Sequence, residues 1–325
     1  MTDRRKLIAL LGGAILASPL DVRGQEPGRT YRIGSLNLAP RDAPQVMALY
    51  DELNRLGFVE GRNLQIDGHG YGLRYEQFAQ HAAELVEAKV DVIHCAGAAA
   101  IRAAQHATAT IPILGITDDM VGEGLVRSMA HPGGNATGVS ILATELDGKR
   151  QELLIELIPG LRRLAALADS HTTAPNELQA LQNAARARGV ELDIHAIGTP
   201  EEIAPAIDAA KASGAMGLNV LASPLLNNNR RIIFERTAAL GLPAMYQWPE
   251  VAQEGGLVAY GPSLLQLNRQ QMSRLLVQLL RDTKPADLPV EQPTKFELVV
   301  NLKTADALGL AIPLSFLGRA DEVIE

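Results

Sequence analysis

One strand–helix pattern is written twice in this chain, and that repetition limits the possible folds more than any other feature. The run YRIGSLN at Tyr31 is matched by RLAALAD at Arg163. A helical stretch ending at Gly57 is matched by one ending at Gly189, NLQIDG at Asn63 by ELDIHA at Glu191, and DVIHCAG at Asp91 by AMGLNVLAS at Ala215. The apolar run Ile111 to Ile116 is matched by Leu242 to Tyr246, and Gly124-Leu125-Val126 is set against Gly256-Leu257-Val258. A repeat of about 130 residues is too long for a solenoid and suits two similar lobes. The pattern places the fold in the α/β class, with two Rossmann-like lobes of parallel sheet joined by crossing strands. Lobe 1 is expected over 30–140 plus about 258–284, and lobe 2 over 141–257 plus about 285–325. Helices over 145–157 and 264–280 then follow crossing strands, so each lobe lends a helix to the other.

Apolar runs without polar alternation suit strands covered on both faces. In such sheets ligands bind beyond the carboxyl ends of the strands. That rule selects Asn37, the turn Gly97-Ala98-Ala99, Thr117 and Asp118 from the first lobe. From the second it selects Asp169, Ser170, Ser223, Tyr246 and Trp248, with Tyr260 near a crossing strand. The small-residue turn at 97–100 opens a helix and can offer N–H groups to an anion, although close packing explains small residues equally well. Only twelve residues are aromatic. Tyr246 and the single tryptophan, Trp248, fall together at one strand end, which favours stacking on a planar ligand over filling a core, with sealing of the lobe interface as the alternative. Met120 to Ala130 reads as a short helix broken by Pro132-Gly133-Gly134, with Asp119 as its cap.

Charge and cysteine content remove several classes of function. The formal net charge is −7, which argues against a nucleic-acid partner. The single cysteine, Cys95, allows no intramolecular disulfide and excludes a two-cysteine acid/base racemase. The seven histidines show no metal-ligand spacing, so no metal and no cofactor are expected. Residues 1–24 read as a cleavable export signal, with Arg4-Arg5-Lys6 before the short apolar run Leu7 to Ala17. Cleavage is expected after Gly24, by a twin-arginine or Sec route. No cysteine lies near that point, so the product is expected free in the periplasm and not as a lipoprotein.

With these residues in place, the chain resembles the substrate-binding proteins of bacterial ABC importers, in the group that includes tryptophan/tyrosine-type binders. The likeness rests on LNRLGFVEGRNLQI (53–66), ATIPI (109–113), VGEGLVRSMAHPGGNATGVS (121–140), GGLVAYGP (255–262), KPADLPVEQPTKFELVVNLKTADALGL (284–310) and IPLSFLGRADEVIE (312–325). It implies a type I periplasmic-binding fold that closes on a small aromatic or carboxylate-bearing solute. The partners it implies are that solute and an ABC permease in the inner membrane, with the chain a monomer. Two departures bear on the solute. Ala98 and Ala99 stand where such proteins often carry a hydroxyl, and Asp119-Met120-Val121 replaces Asp-Pro-Val. The alternatives are an enzyme using Asp118, Asp119 and Asp169 on a small carboxylate, and a periplasmic ligand sensor. A repressor of this fold would need a DNA-binding head, whereas the N-terminus reads as an export signal.

Overall fold

The structure, a computed structural model, describes residues 28–325; residues 1–24, read as an export signal, lie outside them. The first sheet holds β1 (Tyr31–Leu36), β2 (Leu64–Ile66), β3 (Val92–Ala96), β4 (Ile113–Thr117) and β5 (Ala136–Ser140). Its order is β2-β1-β3-β4-β5, all parallel. The second sheet repeats that order with β6 (Arg163–Asp169), β7 (Glu191–Ile197), β8 (Leu218–Val220), β9 (Ala244–Tyr246) and β10 (Val258–Gly261). β11 (Glu297–Asn301) then adds antiparallel to β10, and β12 (Glu322–Ile324) lies parallel to β11. β1 and β6 span the residues their apolar runs mark, because both are buried on two faces.

Helices between the strands begin and end on local signals. Those at Pro44–Arg55, Pro175–Ala187, Pro224–Asn228 and Pro249–Gln253 each open on proline, whose missing N–H and fixed φ suit the first helical position. In the first of them, Val46, Leu49 and Leu53 form one apolar stripe and are buried against the sheet. Truncating Leu49 or Leu53 to alanine would cost about 2–5 kcal/mol.

The chain crosses between lobes three times. After β5 it enters the helix Ala143–Leu157, which packs on β8, β9 and β10 of the second lobe. After β10 it returns to the first lobe, where Leu264–Leu280 packs on the helix Pro44–Arg55. It leaves again before β11. The first crossing runs through Leu142, in the left-handed region (φ 58) with its N–H on the Asp118 carbonyl at 3.0 Å.

Sheet membership redraws two details of the expected division. β10 pairs with β9 and β11, so 258–261 sits in the second sheet and corresponds to β5. Gly256-Leu257-Val258 therefore has its counterpart at the entry to β5 and not at Gly124-Leu125-Val126. Residues 285–291 stay with the first lobe: Thr137 Oγ1 donates to the Leu288 carbonyl at 2.7 Å, and Glu291 bridges Val139. Met120 to Ala130 forms successive turns and no helix. Gly122 and Gly124 lower helix propensity there, and the Asp119 carboxylate holds the Val121 and Gly122 N–H groups in a turn.

Candidate functional site

The two sheets face each other with their carboxyl ends, and a cleft of about 930 Å³, partly open to solvent, lies between them. The first lobe supplies Asn37 beyond β1, Ala96 and Gly97 at the end of β3, and Thr117 and Asp118 at the end of β4. The second supplies Thr172 and Thr173 beyond β6, Ala222 and Ser223 beyond β8, and Trp248 beyond β9. Ile141 and Asp147 line it from the first crossing, and Leu264 and Asn268 from the second.

The lobes touch across this cleft. Tyr75 of the first lobe donates its hydroxyl to Asp169 Oδ2 of the second at 2.7 Å. Asp169 is fully buried and also accepts from Ser223 Oγ at 2.6 Å and from the His171 N–H at 2.9 Å. The His171 ring stacks on Tyr75, with centroids 4.2 Å apart. Burial, reinforced by the Asp169 carboxylate, pushes the Tyr75 hydroxyl well above the ordinary phenol range, so it stays a donor. Close by, a Cβ on Gly97 would lie 3.2 Å from Pro224 of the other lobe. Gly97 has φ +90, which glycine adopts without strain.

The titratable groups of the lining are mostly acids. Burial pushes Glu123 up to about 7, against a hydroxyl bond from Thr117 and with the help of the Asp118 charge. Burial also raises Asp147 to about 6, although Arg150 binds it through Nη2 at 2.7 Å. His94 is pushed down to about 4 by burial and is neutral at physiological pH.

Comparison with known proteins places this architecture. A profile described as ABC transporter substrate binding protein matches residues 42–324. The chain belongs to the ABC transporter substrate-binding protein family. It is 25% identical over 260 residues to a tyrosine-binding protein of Clostridioides difficile (strain R20291), covering 78% of this chain and 73% of that one. A solved ABC domain from Streptococcus pneumonia in complex with L-Trp matches with a TM-score of 0.79 at 24% identity, over 91% of this chain and 100% of that one. A ligand-free, open substrate-binding protein from Clostridium difficile matches with a TM-score of 0.60 at 22% identity, over 91% of this chain and 99% of that one. The family is one of binding proteins, and its fold has the two lobes and parallel sheets found here.

In this substrate-binding protein the expected site residues divide into two groups. Asn37, Gly97, Thr117, Asp118, Ser223 and Trp248 line the cleft. Asp169 stands behind it and holds the bond between the lobes. Ser170 is exposed outside the lining, and Ala98 and Ala99, next to Gly97, are outside it too. Tyr246 is 2% exposed and packs edge-on against Phe234, because strand alternation turns it toward the helix Arg230–Ala239. Tyr260 faces Phe296 in the second-lobe core. Neither tyrosine reaches the cleft; Trp248 does because it lies beyond the strand end. Of Asp118, Asp119 and Asp169, only Asp118 lines the cleft; Asp119 holds its own turn, and Asp169 accepts from Tyr75, Ser223 and the His171 N–H. His94, Glu123 and Asp147 escaped sequence reasoning. His94 lies within an apolar strand, and the other two follow a turn and a helix start, so no strand-end rule selects them.

Proposed function

We propose that this chain is the periplasmic solute-binding component of an ABC importer. It holds one small, ring-bearing solute between its lobes and delivers it to a permease in the inner membrane. The observation that carries the reading is the cleft lined from both lobes and spanned by the Tyr75–Asp169 bond. A solute touching both lobes favours the closed arrangement over the open one by its differential contacts, and that shift is the signal a permease reads. Trp248 offers the ring face, and the ligands named for the tyrosine-binding and L-Trp-bound relatives support an aromatic solute. The protein acts as a monomer, turns over nothing and needs no nucleic acid or cofactor. Cleavage after Gly24, by a twin-arginine or Sec route, releases it into the periplasm; among the described residues no helix is long and apolar enough to cross a membrane.

The test is a thermal-shift screen of small aromatic solutes, followed by calorimetry. A ligand bound only by the folded state raises the melting temperature. One solute per chain, recovered unchanged after incubation, is the expected result. Conversion of the bound solute would replace the carrier reading with the enzyme one.

A further inference from the structure

The charge of the solute is written in the same cleft, and this inference rests on the carrier reading above. Asp118, Glu123, Asp147 and Glu177 line the cleft, and among the described residues no Lys or Arg does. The Asp118 charge acts on both Glu123 and Asp147. The guanidinium groups nearby stand elsewhere. Arg150 is buried against Asp147 and donates to the Tyr260 carbonyl at 3.0 Å, and Arg102 is exposed on the helix Ala98–Ala107. A carboxylate in the cleft would meet like charge without a lining cation.

His94 supplies an independent observation. It lines the cleft, is 2% exposed, and its Nε2 has no hydrogen-bond partner. Ser35 Oγ donates to the Tyr71 hydroxyl at 2.9 Å, so the Ser35 oxygen is left to accept from His94 Nδ1, 3.4 Å away. With Ser35 donating to Tyr71, the tautomer that pairs with Ser35 carries its proton on Nδ1, which leaves Nε2 as a buried acceptor. We infer that the cleft selects an organic cation, a ring-bearing solute whose protonated amine or amidinium presents N–H groups to the Asp118 and Glu123 carboxylates and to His94 Nε2.

Probes that share one ring and differ in charge test this. Tryptamine, tryptophan and indole-3-acetate are titrated by calorimetry, with phenethylamine, phenylalanine and phenylacetate as a second series. Each amine is expected to bind about tenfold or more tighter than the carboxylate of its series, as a charge-assisted hydrogen bond implies. Glu123→Gln should weaken the amine by about tenfold and spare the carboxylate. Asp118→Asn should move affinity the same way if the first variant fails to fold. His94→Phe should also weaken the amine, because it removes the acceptor. A carboxylate or amino acid that outbinds its amine, or amine binding unmoved by these variants, overturns the assignment while leaving the carrier reading intact. Failure of every amine to bind also overturns it, and the carrier reading then stands or falls on the broader screen.

Discussion

Tyr75→Phe removes a single oxygen from the contact between the lobes. The ring remains, with its stack on His171 and its edge contact to Phe78 at 5.8 Å. What is lost is one hydrogen bond to a buried carboxylate, worth about 1.5–3 kcal/mol when the acceptor is charged. Asp169 keeps its bonds from Ser223 and the His171 N–H, which places the loss at the lower end of that range. When the lobes part, water replaces the missing partner, so the loss falls on the closed state alone. A ligand that needs the closed state should therefore bind about ten- to thirtyfold more weakly, at 1.4 kcal/mol per decade. Most of the change should appear as faster dissociation, because the contact forms after the ligand enters. Calorimetry with a solute found by screening gives the affinity, and stopped-flow displacement gives the off-rate. The melting temperature of the unliganded protein should hardly move. A variant that binds and releases the solute like the parent would refute the idea that this bond holds the lobes together.

Three further substitutions probe the same geometry. Trp248→Ala should weaken binding by about tenfold or more through lost stacking and burial, whereas Tyr246→Ala should instead lower stability by about 3–5 kcal/mol as a core truncation; calorimetry and chemical denaturation separate the two. Gly97→Ala places a methyl group against Pro224 at φ +90 and ψ 155, a conformation nearly confined to glycine, and should lower stability by about 1–3 kcal/mol in chemical denaturation. Glu123 has a folded-state pKa of about 7 against an ordinary 4.5, so its contribution to stability is present at pH 4.5 and below and is lost as pH rises toward 7. Glu123→Gln should remove that fall, raising stability at pH 8 relative to pH 4.5 by up to about 3 kcal/mol, measured by thermal melts at both values.

The two-lobed fold was legible because buried parallel strands show as uninterrupted apolar runs. YRIGSL and RLAALAD mark β1 and β6, and the order of the repeat carried over into both sheets. The exchange of helices at Ala143–Leu157 and Leu264–Leu280 followed from the same repeat. What the pattern does not carry is the face on which a side chain lands. Tyr246 and Trp248 are two positions apart, yet one is inside the strand and packs on Phe234 while the other lies beyond it and meets the cleft. Nor does it carry contacts made only when the lobes meet. The bond from Tyr75 to Asp169 joins residues 94 apart in sequence, and neither has a local signal pointing to the other. His94 looks like a core residue in sequence, and only its lone unpartnered nitrogen beside the cleft marks it out.

The central claim is that the lobes close on a solute about the three crossings. Small-angle X-ray scattering on the processed protein, with and without a saturating solute found by screening, tests it most directly. The account predicts a smaller radius of gyration and a shorter maximum dimension with solute, with the difference diminished in Tyr75→Phe at equal solute concentration. Identical profiles at a saturation verified by calorimetry would contradict it, and would describe a rigid protein whose cleft binds without closing.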